Sequence, residues 1–262
     1  MTPTIAVLMP AFNEADRIER TIGSIARYTA GGARIGPVII ADDGSIDDTV
    51  EVALRAAAKV GLTIEILRFP HRGKASTVRS AMLDAAGRVT ADYLMMLDAD
   101  DEVRIDQLDQ VEWSADPRTI YIARRVDRVD GTSGVRPTLL RRGMSGAMRL
   151  ATRTLLGIHF PDTQCGFKLF PRAIVPDLFG QQRSTGWTFD AELLFIADRI
   201  SHLPIREVPV VWVPRGISKV RPMAVIASGL AMFGTAWRRV RRVYRPVGLD
   251  AAADPERVAI TS

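Results

Sequence analysis

The sequence predicts an α/β fold with a mostly parallel sheet flanked by helices. Short apolar runs of strand length alternate with segments whose apolar residues recur at helical spacing, which is the pattern of βαβ units. Charged residues follow several of these runs directly, at the end where parallel strands border a ligand crevice. With 262 residues, 47% of them hydrophobic, the chain is long enough to bury one large core.

Five strands are predicted from the apolar runs in the first half of the chain, at residues 5–9, 37–41, 62–69, 93–97 and 119–123. A helix is predicted after each of the first three strands, because apolar residues at helical spacing follow residues 14, 47 and 74. Further along, the pattern predicts a helix that ends near residue 200 and a strand at 207–213.

The fourth strand organises the candidate site. Its apolar run at 93–97 ends on Asp98, Ala99 and Asp100, so the two carboxylates would project into the crevice while Ala99 points away. Two carboxylates at this spacing suit Mg²⁺ or Mn²⁺, which takes its other ligands from substrate phosphates and water. The alternative is an acidic turn that caps a helix at 106–112.

The ends of the first two strands carry candidate nucleotide ligands. Phe12 and Glu14 lie where a base can stack or a ribose can hydrogen-bond, whereas Asn13 between them is equally suited to cap the following helix. Asp42 and Asp43 follow the second strand, where acids either accept hydrogen bonds from a nucleobase or ribose or serve as turn and helix caps.

Cations stand after the third and fifth strands. Gly73 and Lys74 precede the third helix and can meet a diphosphate through backbone amides, the helix dipole and the ammonium charge. The fifth strand ends on Arg124 and Arg125.

Composition limits the function classes. The single cysteine, Cys165, argues against a disulfide framework and a thiolate zinc cluster, indicates a reducing compartment and is expected to be a buried, inert thiol. The first residues show no signal peptide, so we expect a cytoplasmic protein. The net charge of +5 is concentrated at 208–249, which has eight basic and no acidic residues. Without a nucleic-acid-binding motif, this segment suits an anionic membrane surface better than a nucleic acid.

Four motifs, in this order and spacing, resemble the nucleotide-sugar half of family 2 glycosyltransferases with the GT-A fold. They are Pro-Ala-Phe-Asn-Glu at 10–14, Asp-Asp-Gly-Ser-Ile-Asp-Asp-Thr at 42–49, Arg-Gly-Lys at 72–74 and Leu-Asp-Ala-Asp at 97–100. The resemblance implies an inverting transferase that binds a nucleoside-diphosphate sugar through a divalent metal at Asp98 and Asp100. The residues expected to bind the nucleotide sugar are Pro10, Ala11, Phe12, Glu14, Asp42, Asp43, Lys74, Asp98, Ala99, Asp100 and Arg124.

The second half resembles a narrower group. Segments 162–170, 186–195 and 215–220 are similar to matching stretches of dolichyl-phosphate glucosyltransferases and their prokaryotic polyprenyl-phosphate relatives. The chain departs from the eukaryotic members in having no predicted membrane-spanning first helix. It also carries His71 and Arg72 where a more neutral loop is expected, which bears on donor choice.

The acceptor determines which side chains are needed. A lipid phosphate is already ionised and needs no general base, but cations must bring it beside an anionic donor. The candidate cations are Arg124, Arg141, Arg142, Lys168, Arg215 and Lys219, of which Lys168 and Arg215 lie inside the matched motifs. A hydroxyl acceptor would instead need a carboxylate base, for which Asp162, Asp190 and Glu192 are candidates. We choose Asp162 as base or acceptor positioner, whereas Asp190 can equally cap its helix.

The C-terminal region contains an apolar stripe at alternating spacings of three and four: Met223, Ile226, Leu230, Phe233, Trp237, Val240 and Tyr244. The 15 uncharged residues at 223–237 would span about 22 Å as a helix, short of the roughly 30 Å hydrocarbon core. An apolar helix that is followed by arginines is suited to the membrane interface. The alternative is a helix that packs in a core or a dimer.

We therefore predict a GT-A domain at 1–222, with a nucleotide-sugar-binding half at 1–125 and an acceptor half at 126–222. An amphipathic basic helix at 223–245 and a disordered tail at 246–262 follow. The predicted activity is metal-dependent, inverting transfer of a hexose from a nucleoside-diphosphate sugar, expected to be UDP-glucose or a similar UDP-sugar, to polyprenyl or dolichyl phosphate. The predicted localisation is peripheral, at the inner face of the cytoplasmic membrane. The sequence leaves open whether the protein forms a homo-oligomer. The alternatives are the same chemistry on a soluble hydroxyl and a non-catalytic nucleotide-sugar or membrane-binding module.

Overall fold

A computed structural model describes residues 2–126, 146, 149–213, 215, 231–232, 234–238 and 241–248. The first half alternates strands and helices in the order β1 (Ile5–Ala11), α1 (Ile18–Ala30), β2 (Ile35–Asp42), α2 (Thr49–Val60), β3 (Ile64–Arg68), α3 (Lys74–Arg88) and β4 (Tyr93–Met96). A 3-10 helix at Ile105–Gln110 follows, where the sequence predicted a helix at 106–112.

The second half is less regular. It contains β5 (Ile120–Val126), a π-helical turn at Thr152–Leu156, β6 (Lys168–Pro171), a 3-10 turn at Arg172–Ile174, α4 (Val175–Gly180), α5 (Phe189–Phe195) with a π-helical continuation at Ile196–Ile200, and β7 (Ile205–Val211). The sequence does not predict β6 as a strand, because residues 162–170 show only the acceptor-like motif.

The strands form one seven-stranded sheet in the order β3-β2-β1-β4-β6-β5-β7. The pairs β1/β2, β1/β4, β2/β3 and β5/β7 are parallel, whereas β6 runs antiparallel to both β4 and β5. The mostly parallel α/β sheet is thus confirmed. Because β6 is reversed, its first residue, Lys168, lies beside Met96 at the edge where the parallel strands end.

Helices cover both faces of the sheet and bury two apolar layers. One layer contains residues of α1, α2 and the 3-10 helix, such as Ile22, Ala53 and Leu108. The opposite layer contains residues of α3, α4 and α5, including Val78 and Phe195. In this arrangement the loops at the carboxyl ends of β1, β2, β3 and β4 are left to form the crevice.

The described part of the C-terminal region packs on the second layer. Residues 231–232 and 234–238 are helical, and Met232 is buried in the core. Residues 241–248 form a turn and an irregular segment, so the helix ends before the expected residue 245. Tyr244 is 6% exposed, and its hydroxyl donates to Glu192 Oε1 at 2.6 Å. The amide of Gly248 donates to Asp177 Oδ2 at 3.1 Å, so the chain is attached to the domain beyond residue 246.

This packing agrees with the alternative of a core helix for residues 231–232 and 234–238. The apolar residues at 223–230 lie outside the described residues. Within the described ranges, the structure has no helix that is both long enough and apolar enough to cross a bilayer.

We expect Tyr244→Phe to lower the free energy of unfolding by about 1–3 kcal/mol, because the buried Glu192 carboxylate loses a hydrogen-bond donor. Urea denaturation followed by circular dichroism measures the change. Val243→Ala is the control, since Val243 is 43% exposed and its truncation should change stability by less than about 0.5 kcal/mol. Equal and negligible changes in both variants would show that this bond does not hold the C-terminal segment.

Candidate active site

The acid pair lies at the end of β4. Asp98 keeps 36% of its side chain exposed and forms an ion pair with Lys74, the first residue of α3. Ala99 is buried against the α1 side of the sheet, and its carbonyl accepts a hydrogen bond from Thr21 Oγ1 at 2.8 Å. The backbone therefore turns Asp98 and Ala99 in opposite directions, as the alternation predicted.

The electrostatics of this corner favour a cation. Burial and, secondarily, the charge of Asp98 raise the pKa of Asp100 to about 6. Burial alone would lower the pKa of the Lys74 ammonium, but the carboxylates of Asp98 and Asp190 outweigh it and raise that pKa. A positive charge near Asp98 and Asp100 would relieve the repulsion between them.

The side chains at this site can supply only some of the ligands that a divalent cation needs. Among the described residues, no group of three or more Asp, Glu, His or Cys side chains is arranged to hold a metal. Asp98 and Asp100 together supply hard oxygen ligands, and Mg²⁺ or Mn²⁺ bound through two carboxylates takes its other ligands from phosphate and water. The site is thus suited to a metal that binds together with a diphosphate.

Gly166, just before β6, makes room for Asp98. A Cβ atom added at Gly166 would overlap the Asp98 carboxyl group. Only glycine allows the carboxylate to lie directly against this backbone. The sequence indicated Gly166 only as part of a motif, because the contact depends on the antiparallel pairing of β4 with β6.

Asp43, expected to bind the nucleoside, holds the loop before α3. Its buried carboxylate accepts hydrogen bonds from the amides of Arg72 and Gly73, both at 3.0 Å, and from Thr77 Oγ1 at 2.6 Å. His71 Nδ1 lies 2.9 Å from Asp43 Oδ2. These hydrogen bonds favour a structural role for Asp43, in which it positions the loop before Lys74. They do not favour a direct contact between Asp43 and a nucleobase.

The aromatic pair Phe12 and His71 lies beside Asp43. Their rings stack with centroids 4.1 Å apart and an interplanar angle of 18°. Asp42 is buried in the same region, and its Oδ1 accepts the amide of Ser45 at 3.1 Å. Pro10 and Ala11 are buried at the end of β1.

Neighbouring predicted residues have other local roles. Asn13 does not cap α1, which begins at Ile18; its side-chain oxygen accepts the amide of Ile46 at 3.0 Å. Glu14 forms an ion pair with Arg17 at 2.6 Å. Both side chains therefore stabilise the loops that surround the crevice.

Arg125 and Asp162 form the wall opposite the acid pair. Arg125 Nε lies 2.5 Å from Asp162 Oδ2, and Nη2 lies 2.9 Å from Oδ1. The guanidinium also lies over the Trp212 ring, 5.7 Å from its centroid. Because proton uptake by Asp162 would break its pair with Arg125, the geometry favours Asp162 as a positioner over a general base. Of the two arginines at the end of β5, the sequence favours Arg124 as the ligand, but in the structure Arg124 points toward Glu207, 3.5 Å away.

A cavity of about 50 Å³ separates these two walls. Its lining includes Asp98, Asp100, Arg125, Gln164, Gly166 and Trp212. The cavity has room for an ion or a water molecule or two, so a sugar nucleotide would lie across its mouth.

The remaining acceptor-side candidates differ in accessibility. Lys168 is 1% exposed; its ammonium lies 2.7 Å from Asp190 Oδ1 and also bonds the Cys165 carbonyl. This geometry favours a structural role for Lys168 and Asp190 over the predicted contact with an acceptor phosphate. Asp190 also does not cap α5, which begins after Thr188. Glu192 is likewise buried, and its Oε2 accepts the amide of Ser184 at 2.6 Å.

Arg215 is tied to the loop after the acid pair. Its Nε donates to the carbonyl of Asp101 at 3.0 Å, and Nη2 lies 3.4 Å from Asp101 Oδ2. Burial raises the pKa of the Cys165 thiol to about 11, which agrees with an inert thiol. Arg141, Arg142 and Lys219 lie outside the described residues.

The sheet and its crevice are those of the GT-A glycosyltransferase fold. The structure superposes on glucosyl-3-phosphoglycerate synthase of Mycobacterium tuberculosis with a TM-score of 0.63 and 18% identity, covering 90% of this chain and 80% of that one. A complex of that synthase with Mn²⁺, UDP and glucosyl-3-phosphoglycerate gives a TM-score of 0.61 at 19% identity, covering 88% of this chain and 80% of that one.

Comparison of the sequence with known proteins identifies the family within this fold class. Residues 6–179 match the profile of glycosyl transferase family 2. A dolichyl-phosphate beta-glucosyltransferase of Trichomonas vaginalis is 31% identical over 94% of this chain and 73% of its own length. The Drosophila melanogaster enzyme of that name is 32% identical over 83% of this chain and 69% of its own length. The chain belongs to glycosyl transferase family 2 and is a glycosyltransferase.

We expect Gly166→Ala to weaken the binding of Mn²⁺ together with UDP by tenfold or more, because the new methyl group displaces the Asp98 carboxylate. Isothermal titration calorimetry measures both affinities. Gly87→Ala is the control, because a Cβ at Gly87 meets no atom within 4 Å. Unchanged affinities in Gly166→Ala would show that the position of Asp98 is unimportant for the metal.

Lys168→Met should lower the free energy of unfolding by about 3–5 kcal/mol, because it leaves the buried Asp190 carboxylate without its partner. The double variant Lys168→Met with Asp190→Leu should recover most of this loss. Lys59→Met is the matched control, since Lys59 pairs with Glu19 on the surface and should contribute less than about 1 kcal/mol. Urea denaturation compares the four proteins, and a single variant as stable as the wild type would contradict the structural role.

Proposed function

We propose that this glycosyltransferase transfers glucose from UDP-glucose to dolichyl or polyprenyl phosphate with inversion at the anomeric carbon. The observation that carries the proposal is the position of the Arg125 guanidinium opposite the Asp98 and Asp100 carboxylates across one small cavity. One wall suits a metal with a diphosphate, and the other suits an anionic acceptor. The names of the relatives support the glucosyl donor and the dolichyl-phosphate acceptor.

The donor would lie along the carboxyl edge of the sheet. Its diphosphate would meet a metal bound by Asp98 and Asp100, with the Lys74 ammonium beside them. When bound there, Mg²⁺ or Mn²⁺ would offset the negative charge of the departing diphosphate. The neighbours that contain Mn²⁺ and UDP support this choice of cofactor and nucleotide.

The acceptor phosphate would lie against Arg125. A phosphate oxygen attacks the anomeric carbon, the bond from that carbon to the diphosphate oxygen breaks, and the diphosphate takes the electron pair. No general base is needed, because the attacking oxygen is already ionised. Asp162 and Trp212 fix the guanidinium in place, so it is preorganised to hold an anion.

The enzyme would work as a peripheral protein at the cytoplasmic face of a membrane. Residues 208–249 carry eight basic and no acidic residues, which suits anionic headgroups. In the described part of this segment, Trp237 is 52% exposed, and the Arg241 guanidinium lies 5.2 Å from its ring centroid. An exposed indole paired with a cation is suited to the membrane interface.

The test is incubation with radiolabelled UDP-glucose, polyprenyl phosphate and Mn²⁺, followed by extraction into organic solvent. We expect the label in the organic phase, and a loss of at least a hundredfold in turnover for Asp98→Asn. Arg125→Ala should lose a similar factor in kcat/KM for the lipid phosphate while its affinity for UDP changes little. Arg118→Ala is the control, because Arg118 forms an exposed ion pair with Asp116.

Label confined to the aqueous phase with every polyprenyl phosphate would contradict the lipid acceptor. Transfer to a soluble hydroxyl compound in the same samples would then support the soluble-acceptor alternative. Equal activity of Arg125→Ala and the wild type would contradict the assigned position of the acceptor phosphate.

A further inference from the structure

A second cavity, here called the α1 cavity, lies between α1, α2 and the loop that follows the acid pair. Its volume is about 410 Å³, and it shares no lining residue with the small cavity between Asp98 and Arg125. We infer that the α1 cavity is a binding site for a phosphate monoester group, which Arg20 and Arg27 of α1 hold. This site is separate from the proposed donor and acceptor positions, so the inference goes beyond the proposed function.

The α1 cavity is surrounded by more positive than negative charge. Its cations are Arg20, Arg27, Lys59, Arg104 and Arg215. Its carboxylates are Glu19 and Asp101, and a third carboxylate, that of Asp106, pairs with Arg104 from outside the lining. Five cations and three carboxylates leave a net charge of +2. A phosphate monoester has a charge of about −1.5 to −2 near pH 7 and three acceptor oxygens, so it complements this lining.

Both carboxylates of the lining are already paired. Glu19 Oε1 lies 3.2 Å from Lys59 Nζ, and Asp101 Oδ2 lies 3.4 Å from Arg215 Nη2. Asp101 is 5% exposed, and its Oδ1 accepts the Ser24 hydroxyl at 2.8 Å. A paired carboxylate repels an incoming anion less than an unpaired one does. The wall that Asp101 forms also does not need to be ordered on binding, which favours affinity.

Arg20 and Arg27 are left to bind a ligand. Arg27 Nη2 donates to the Ser24 hydroxyl oxygen at 3.4 Å, and among the described residues neither arginine has a carboxylate partner. The two arginines are seven residues apart on α1, so they lie on one face of the helix, about 10 Å apart along its axis. Their side chains are long enough to meet over the turns between them. Guanidinium groups bind phosphate oxygens through paired hydrogen bonds, so the two can hold one phosphate group together.

Gly23 lies between these arginines and forms the floor of the α1 cavity. Its φ is outside the left-handed region, so the backbone of α1 does not require a glycine here. Glycine is also less favourable than alanine inside a helix. A Cβ added at Gly23 would lie 3.3 Å from Arg27 Nη1, which shows that the guanidinium lies close to the bare backbone. A large side chain at this position would therefore occupy the space of the ligand.

The size of the α1 cavity is that of a small-molecule site. Such sites typically have volumes of about 300–1,000 Å³. The same phosphate monoester group occurs on soluble metabolites and on the headgroup of phosphatidic acid. The experiment therefore has one arm for each source.

Every protein in the experiment carries Arg125→Ala and is kept in EDTA, so that the proposed acceptor and metal positions contribute little. The first arm measures the binding of glycerol 3-phosphate by isothermal titration calorimetry, with glycerol as the uncharged control. The second arm measures cosedimentation with phosphatidylcholine vesicles that contain or lack phosphatidic acid. Circular dichroism checks that each variant is folded.

Two kinds of variant are compared, each with a matched control. Arg20→Gln and Arg27→Gln remove one cation each, and the control is Arg55→Gln, because Arg55 is exposed on α2 outside the lining. Gly23→Leu fills the floor of the α1 cavity without a change of charge. Its control is Gly87→Leu in α3, where an added Cβ meets no atom within 4 Å. Leucine is a better helix former than glycine, so both replacements are compatible with folding.

We expect Arg20→Gln and Arg27→Gln each to weaken binding about tenfold, in the range of one charge-assisted hydrogen bond. Gly23→Leu should abolish binding, whereas Arg55→Gln and Gly87→Leu should stay within about twofold of the parent protein. These losses in the first arm would support the site with a soluble ligand. The same losses in the second arm alone would support it with a lipid headgroup.

Three results would overturn the inference. The first is binding by Gly23→Leu equal to that of the parent in both arms, because a filled cavity cannot hold the ligand. The second is an equal loss in Arg27→Gln and Arg55→Gln, because the effect would then follow net charge and not position. The third is a parent protein that binds neither glycerol 3-phosphate nor phosphatidic acid. None of these results bears on the proposed function, whose test uses UDP-glucose and polyprenyl phosphate.

Discussion

The contact on which the site depends is that of the Asp98 carboxylate with the backbone at Gly166 and the ammonium of Lys74. Asp98 belongs to β4 and Lys74 to α3, while Gly166 precedes β6. One side chain therefore joins both halves of the chain at the crevice. The antiparallel pairing of β6 with β4 makes this possible, because it brings the start of β6 to the edge where β4 ends.

Charge is balanced in pairs around this contact. The Lys74 ammonium is stabilised by the negative charges of Asp98 and Asp190. Lys168 neutralises Asp190, and Asp162 neutralises Arg125. Such pairing keeps each ionised group in place without a substrate, so little reorganisation is needed when an anionic donor and acceptor enter. The Lys168–Asp190 pair is buried. It affects the crevice only by positioning the neighbouring groups and through its electrostatic field.

The sequence allowed the prediction of those features that depend on local order along the chain. The acid pair could be placed because a run of buried residues ends on it, and the position of Lys74 followed from the glycine before a helix. Lys168 was interpreted as a ligand because its partner Asp190 is 22 residues away and no local pattern connects the two. The same limit applies to Asp43, whose partners are supplied by a loop about 30 residues later. The sequence does not distinguish Arg125 from Arg124, because the register of β5 decides which of these two adjacent arginines faces Asp162.

The attachment of Tyr244 to Glu192 has a consequence for biosynthesis. Glu192 and Asp190 share one short helix, α5, and the buried carboxylate of Glu192 obtains its hydroxyl donor 52 residues later in the chain. Domains form from their N-terminal part during synthesis, so the first strands and helices can assemble while the rest is still being made. The helix that carries Asp190 therefore gains this polar partner only after residue 244 has been synthesised, later than every residue of the first five strands.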